Sequence, residues 1–189
     1  MRKFHELVQR ARTIRRFIES DPVPETVLHE LVDIARTVPC GGNQQPLRYR
    51  IVHGAAVRLL DPLVAWAAAL KDWGGPKEGE RPTGFIIMLS AADKQQAPQT
   101  DIGIAAQTIQ LAAAERGYGA CMMGSIKRDE IHRVLNIPAE WAVRLAVALG
   151  RPAETVVLED LAPGNDTRYY RTPDGVHHVP KRRLEDVLV

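Results

Sequence analysis

The chain has 189 residues, 25 basic and 23 acidic, a net charge of +2 and 45% hydrophobic content. That length and apolar fraction suit one domain, 1–189, with its own core. The even charge balance argues against a nucleic-acid partner or a polybasic membrane surface, and no apolar run approaches the ~18 residues of a membrane span.

At the start, "MRKFHELVQRARTIRRF" lacks the apolar core of a secretory signal. Cys40 and Cys121 lie far apart and outside any C-x-x-C pattern, so a reduced, cytoplasmic protein is expected. Phe4, Leu7, Val8 and Ala11 recur at helical spacing and predict a short first helix, followed by the basic stretch "RTIRRF" at 12–17. After "SDPVPE", Val27, Leu28, Leu31, Ile34, Ala35 and Val38 mark one face of a second helix that Pro39 ends. The loop "PCGGNQQP" at 39–46 then opens. "RYRIVH" at 48–53 alternates as a strand does. Residues 55–72 read as helical with a break at Pro62, and 74–84 as a flexible loop.

"FIIML" at 85–89 predicts a buried strand, and 100–116 an alanine-rich helix packed on several faces. "GYGACMMG" at 117–124 predicts a short strand ending in a turn, 127–135 a small helix, and 141–150 another strand. The end of the chain predicts a hairpin turning at Asp174-Gly175, a basic knot and a short tail. Helices and strands intersperse without repeating βαβ units, so the expected class is α+β.

No phosphate-loop, H-E-x-x-H or G-x-S-x-G pattern occurs, and "GYGAC" is too short for a dinucleotide fingerprint. His177 and His178 are adjacent in an expected strand, so they face opposite ways and share no metal. No metal site is expected. Cys40 has no sequence neighbour that would activate its thiol, so no catalytic side chain is assigned. Three features carry chemistry. Arg12, Thr13, Arg15 and Arg16, and again Lys181, Arg182 and Arg183, offer guanidinium forks, an ammonium and a hydroxyl suited to a phosphomonoester. Gly41 and Gly42 allow a flat ligand close to the backbone, while Asn43, Gln44 and Gln45 offer donors and acceptors for a heterocycle. "CMMGS" at 121–125 puts a glycine N–H at the end of an apolar strand. Taken singly, each also fits a bland reading: a solvated basic face, a surface loop, a buried strand end.

In this order, the stretches "RTIRRF", "PCGGNQQPLRYRIV", "DIGIAAQTIQLAAAERGYGACMMGSI" and "VPKRRLEDVL" resemble the FMN-dependent nitroreductase family over nearly the whole chain. The resemblance implies a nitroreductase-like fold: a central, mostly antiparallel sheet flanked by helices, in an interlocked homodimer with two FMN sites between the subunits. It implies that Arg12, Thr13 and Arg15, joined by Lys181 and Arg183, hold the phosphate and ribityl chain. Gly124 and Ser125 would lie near flavin N5. Pro39, Cys40, Gly41 and Asn43 would come from the second subunit. Ala11, Cys40 and Leu47 depart from residues common in the family at those places. The implied activity is ping-pong electron transfer through FMN, from NADH or NADPH to a nitroaromatic or quinone-type acceptor. The rivals are a flavin-destroying or dehalogenating enzyme of the same fold, and a flavin- or phosphate-binding module without redox chemistry.

Overall fold

The computed structural model describes residues 2–67, 69–70, 72–93, 98–162 and 164–189. In chain order the elements are α1 (Arg2–Arg10), α2 (Glu25–Ala35), β1 (Arg48–His53), β2 (Gly84–Ala91), α3 (Gln99–Glu115), β3 (Gly119–Met123), α4 (Arg128–Val134), β4 (Trp141–Gly150), β5 (Val156–Asp160), β6 (Tyr170–Arg171) and β7 (His177–Lys181). β1, β2, β4 and β3 lie side by side in that order, every pair antiparallel. A second sheet runs β5-β7-β6, with β5 parallel and β6 antiparallel to β7. The α+β expectation holds.

The main sheet is buried on both faces, and strand alternation sorts its side chains. Ile86, Met88, Val147 and Leu149 meet Leu28, Leu31 and Ala35 of α2 and Ile102, Ala105 and Ile109 of α3. Phe85, Ile87, Cys121, Met123, Ala146 and Ala148 meet Val57, Leu60, Leu63, Ile131 and Leu135 on the opposite side. Among the described residues no helix is long and apolar enough to cross a membrane.

Three elements differ from the sequence reading, one of them β5 (Val156–Asp160), which it did not contain. The helix expected over 55–72 is instead a pair of 3₁₀ turns, Gly54–Leu59 and Asp61–Leu63, followed by a bridge from Val64 to Ile126; residues 68 and 71 lie outside the described residues. The reason is the spacing of the anchors. Val57, Leu60 and Leu63 are buried at intervals of three, the 3₁₀ period, and Pro62 cannot donate to a helical ladder. α2 also stops at Ala35, four residues before Pro39. Proline disfavours helical backbone at Val38, and Thr37 turns its hydroxyl onto the Ile34 carbonyl at 2.7 Å. The hairpin at Asp174-Gly175 forms as expected, Gly175 taking a φ of 88°.

The segment after α1 is pinned across one end of the main sheet. Thr13 bridges to Ala120, Ile14 N donates to the Ala120 carbonyl at 3.0 Å, and Phe17 bridges to Pro152. Glycines make room for it. A Cβ on Gly119 would lie 2.6 Å from Ile14, one on Gly150 2.9 Å from Phe17, and one on Gly84 2.8 Å from Val23. Gly119 and Gly150 are direct neighbours across β3 and β4, and Gly84 pairs with Leu149 beside them. This end of the sheet lacks side chains at the three positions where the segment packs against it. Gly119→Ala should therefore cost about 2 kcal/mol by denaturant unfolding, as overpacking does. An unchanged midpoint would show that the segment is not held this tightly.

Candidate functional site

The pinned segment carries the first basic cluster. Arg12 is half-buried, donates to the Val8 carbonyl, and keeps a buried Nε with no partner among the described residues. No carboxylate pairs with it there, and burial lowers its pKa. A buried cationic donor without an acceptor is costly, and an anion would satisfy it. Arg15 is held differently. Its backbone N–H donates to Glu154 Oε1, which also accepts from Arg16 N at 3.2 Å. Its side chain lies 3.2 Å from His177 Nε2 and 4.7 Å above the Tyr169 ring. The other Glu154 oxygen accepts from Arg171 at 2.6 Å, so that carboxylate, 1% exposed, is saturated. Arg16 is paired with Glu80 at 3.5 Å. Arg12 and Arg15 thus keep their charge without a carboxylate partner among the described residues.

His177 is 1% exposed. An arginine only donates, so Nε2 must accept, and the ring proton sits on Nδ1. Burial, then the Arg15 charge, push the His177 pKa down to about 4; Glu154 opposes them, and Arg171 and His178 add to them. The folded chain keeps this ring neutral between pH 6.5 and 4 while the unfolded chain takes up a proton. Stability should therefore fall as pH drops through that window, by up to about 3 kcal/mol. Urea unfolding at pH 7 and 4.5 checks this: His177→Gln should flatten the difference, and an equal slope in both proteins would refute it.

The turn after β3 is tied to the segment leaving the 3₁₀ turns. Ala65 N donates to Ser125 O at 3.0 Å, Lys127 N to Leu63 O at 2.9 Å, and Arg128 to Gly124 O at 2.9 Å. Gly124 and Ser125 are exposed. A Cβ on Gly124 would meet nothing within 4 Å, and its N–H has no acceptor among the described residues. Unlike Gly119, this glycine borders open space rather than a packed neighbour.

In the loop, Gly42, Asn43 and Gln45 take left-handed backbone, with φ of 55°, 53° and 47°. Asn43 N and Gln44 N close tight turns on Cys40 O and Gly41 O, each at 3.1 Å, and Gln45 N donates to Cys40 Sγ at 3.2 Å. Gly41 N anchors the loop on Asp101 at the start of α3, 3.1 Å away. Pro39 and residues 41–45 remain exposed, and Cys40, Gln45, Pro46, Leu47 and Asp101 border a pocket of about 400 Å³. The other cysteine, Cys121, is buried, which pushes its thiol up to about 11 and keeps it protonated.

One chain does not bring these parts together. The loop leads into β1 at one edge of the sheet; Arg12, Thr13 and Gly124 belong to the other edge, beyond or after β3. Three strand spacings, roughly 14 Å, separate β1 from β3. No hydrogen bond or ion pair among the described residues joins the loop to Arg12, Thr13, Arg15, Gly124 or Ser125. Nor does any hydrogen bond or ion pair among the described residues join Lys181 or Arg183 to Arg12, Thr13 or Arg15. Lys181 and Arg183 are both exposed, and Arg183 pairs locally with Glu185 at 3.2 Å and Asp186 at 3.3 Å. Across β7, His177 and His178 do face opposite ways, His178 stacking on Tyr170 at 4.8 Å. Among the described residues no group of three or more metal-ligand side chains forms. Asp101, Glu154 and His177 escaped sequence reasoning. Only the acid in the first turn of α3 carried even a local signal.

The sequence model of the Nitroreductase family matches residues 8–151, which run from α1 to just past β4 and include the basic segment, the loop and the Gly124 turn. The chain belongs to the Nitroreductase family. Curated relatives include a 5,6-dimethylbenzimidazole synthase of Rhodospirillum rubrum, 28% identical over 82% of this chain and 84% of its own. An NADH dehydrogenase of Thermus thermophilus is 25% identical over 76% and 83%. The same fold is seen in an FMN-dependent nitroreductase from Mycobacterium smegmatis solved with NADPH, at 18% identity, 80% and 88% coverage and a TM-score of 0.64.

Proposed function

We propose that this family member is an FMN-dependent NAD(P)H oxidoreductase: one FMN-binding domain, 1–189, working as a homodimer with two shared sites. The observation that carries the reading is Arg12. It is a half-buried cation with an unpartnered Nε, on the segment that bridges to Ala120, four residues along β3 from the open backbone of Gly124. That span of about 13 Å is short enough for one mononucleotide to reach both ends.

Arg12 and Thr13, joined by Lys181 and Arg183, would hold the phosphate and ribityl chain; Arg15 would add fixed positive charge. Gly124 N–H, with Ser125, is available to donate to the ring. Bound FMN would supply the redox chemistry, taking hydride from NADH or NADPH and passing electrons to a nitroaromatic or quinone-type acceptor. The protein would then need no nucleophile, which agrees with the protonated Cys121 thiol. Pro39, Cys40, Gly41 and Asn43 of a second chain would close the site, because a single chain holds them a sheet width away. A relative named for a different activity, the 5,6-dimethylbenzimidazole synthase of Rhodospirillum rubrum, supports as a second reading a specialised flavin enzyme of the same fold, flavin-destroying or dehalogenating.

Cofactor released by heat and separated by chromatography should be FMN; recovery of FAD would overturn the mononucleotide fit. With a reduced nicotinamide and a quinone varied together, one pocket serving both in turn predicts parallel double-reciprocal lines. Intersecting lines would contradict it. Steady loss of flavin absorbance during turnover would favour the second reading.

A further inference from the structure

Resting on that reading, we propose that His177 is a positioning residue for Arg15, seating its guanidinium toward the flavin without neutralising it. The seat has three sides. Glu154 fixes the backbone at Arg15 and Arg16, His177 Nε2 lies 3.2 Å from the guanidinium, and the Tyr169 ring lies 4.7 Å beneath it. Tyr169 and His177 also contact each other, their ring centroids 5.2 Å apart.

The choice of a neutral acceptor matters. A carboxylate at position 177 would orient Arg15 equally well and cancel its charge. Glu154, the nearby acid, is occupied by two backbone N–H groups and Arg171. Arg15 has one side-chain hydrogen bond among the described residues, to an uncharged ring, so its other donors and its charge stay available. The same neutrality leaves a buried Nδ1–H without a partner, a cost with no structural return among the described residues. Holding a flexible arginine in its working rotamer before the ligand arrives spares that ordering during binding. The site thus reaches across the chain, through β7, to a residue far from the segment it serves.

A double-mutant cycle on the full-length apoprotein tests this, with the FMN dissociation constant read by quenching of flavin fluorescence. His177→Leu should weaken binding about tenfold. His177→Gln, which keeps an acceptor near the Nε2 position, should stay within about threefold of the parent. In an Arg15→Ala background, His177→Leu should cost nothing more, because there is nothing left to position. Equal loss with and without the Arg15 side chain, or no loss in either, would overturn the inference and leave the flavin reading standing. An unchanged affinity in Arg15→Ala alone would remove the flavin role of Arg15 and the inference with it. If His177→Leu does not fold, Tyr169→Leu takes its place in the cycle with the same expectations.

Discussion

Replacing Arg12 by glutamate should weaken FMN binding at least about 100-fold while leaving the chain folded. The substitution removes a desolvated, charge-assisted donor and sets a carboxylate against a phosphate, a change that costs 2–5 kcal/mol or more in partly buried sites. Folding should tolerate it, because Arg12 has no ion pair among the described residues and its one hydrogen bond returns to the preceding helix. Lys181→Glu and Arg183→Glu should each cost less than about tenfold, since both side chains are exposed and solvent screens them. Arg133→Glu, on the exposed face of α4, is the control and should change nothing. If Arg12→Glu and Arg133→Glu behave alike, the basic segment is a solvated face and the phosphate site lies elsewhere.

The second large effect is a restoration. If Asn43 of one chain completes the site that Arg12 of another begins, a heterodimer of Arg12→Glu and Asn43→Asp chains gathers both lesions in one site. The other site is then intact. At a flavin concentration far below the dissociation constant of either variant homodimer and above that of the parent, both homodimers should be nearly empty. The heterodimer should regain about half the normal flavin, because a preorganised site needs only its own donors. Aspartate tolerates the left-handed backbone at position 43, so the lesion is in the side chain and not in the loop's shape. A heterodimer without flavin would place Arg12 and Asn43 in the same site of one chain, against the sheet width that separates them.

What the sequence made legible was what neighbours in sequence decide. β1 at 48–53 and β4 at 141–150 fall where the alternation and apolar runs put them, and α3 begins and ends within a residue of its alanine-rich period. Asp174-Gly175 turned the last hairpin as its chemistry demands. The 3₁₀ turns after β1 were misread because a threefold spacing of anchors, broken by one proline, resembles a helix over so short a run. β5 was missed because "VVLED" is five residues long and its partner, β7, belongs to a later hairpin.

The candidate site divides in the same way. Arg12, Thr13 and Arg15 stand within four positions, and "PCGGNQQP" announces an unusual backbone by composition alone; three left-handed residues bear that out. Their supports are remote. Glu154 lies 139 residues from Arg15, and His177 lies 162 away. Asp101 anchors Gly41 across 60 residues. Nothing in "RPAETVV" or "GVHHVP" marks these two side chains until the second sheet docks against the first segment.

The most direct test is anaerobic titration of the FMN-loaded protein with NADH and, separately, NADPH, following the visible flavin band. At least one nicotinamide should bleach the band stoichiometrically, and a quinone added afterwards without oxygen should restore it. A band that neither nucleotide bleaches would contradict the oxidoreductase claim, however tightly FMN is held.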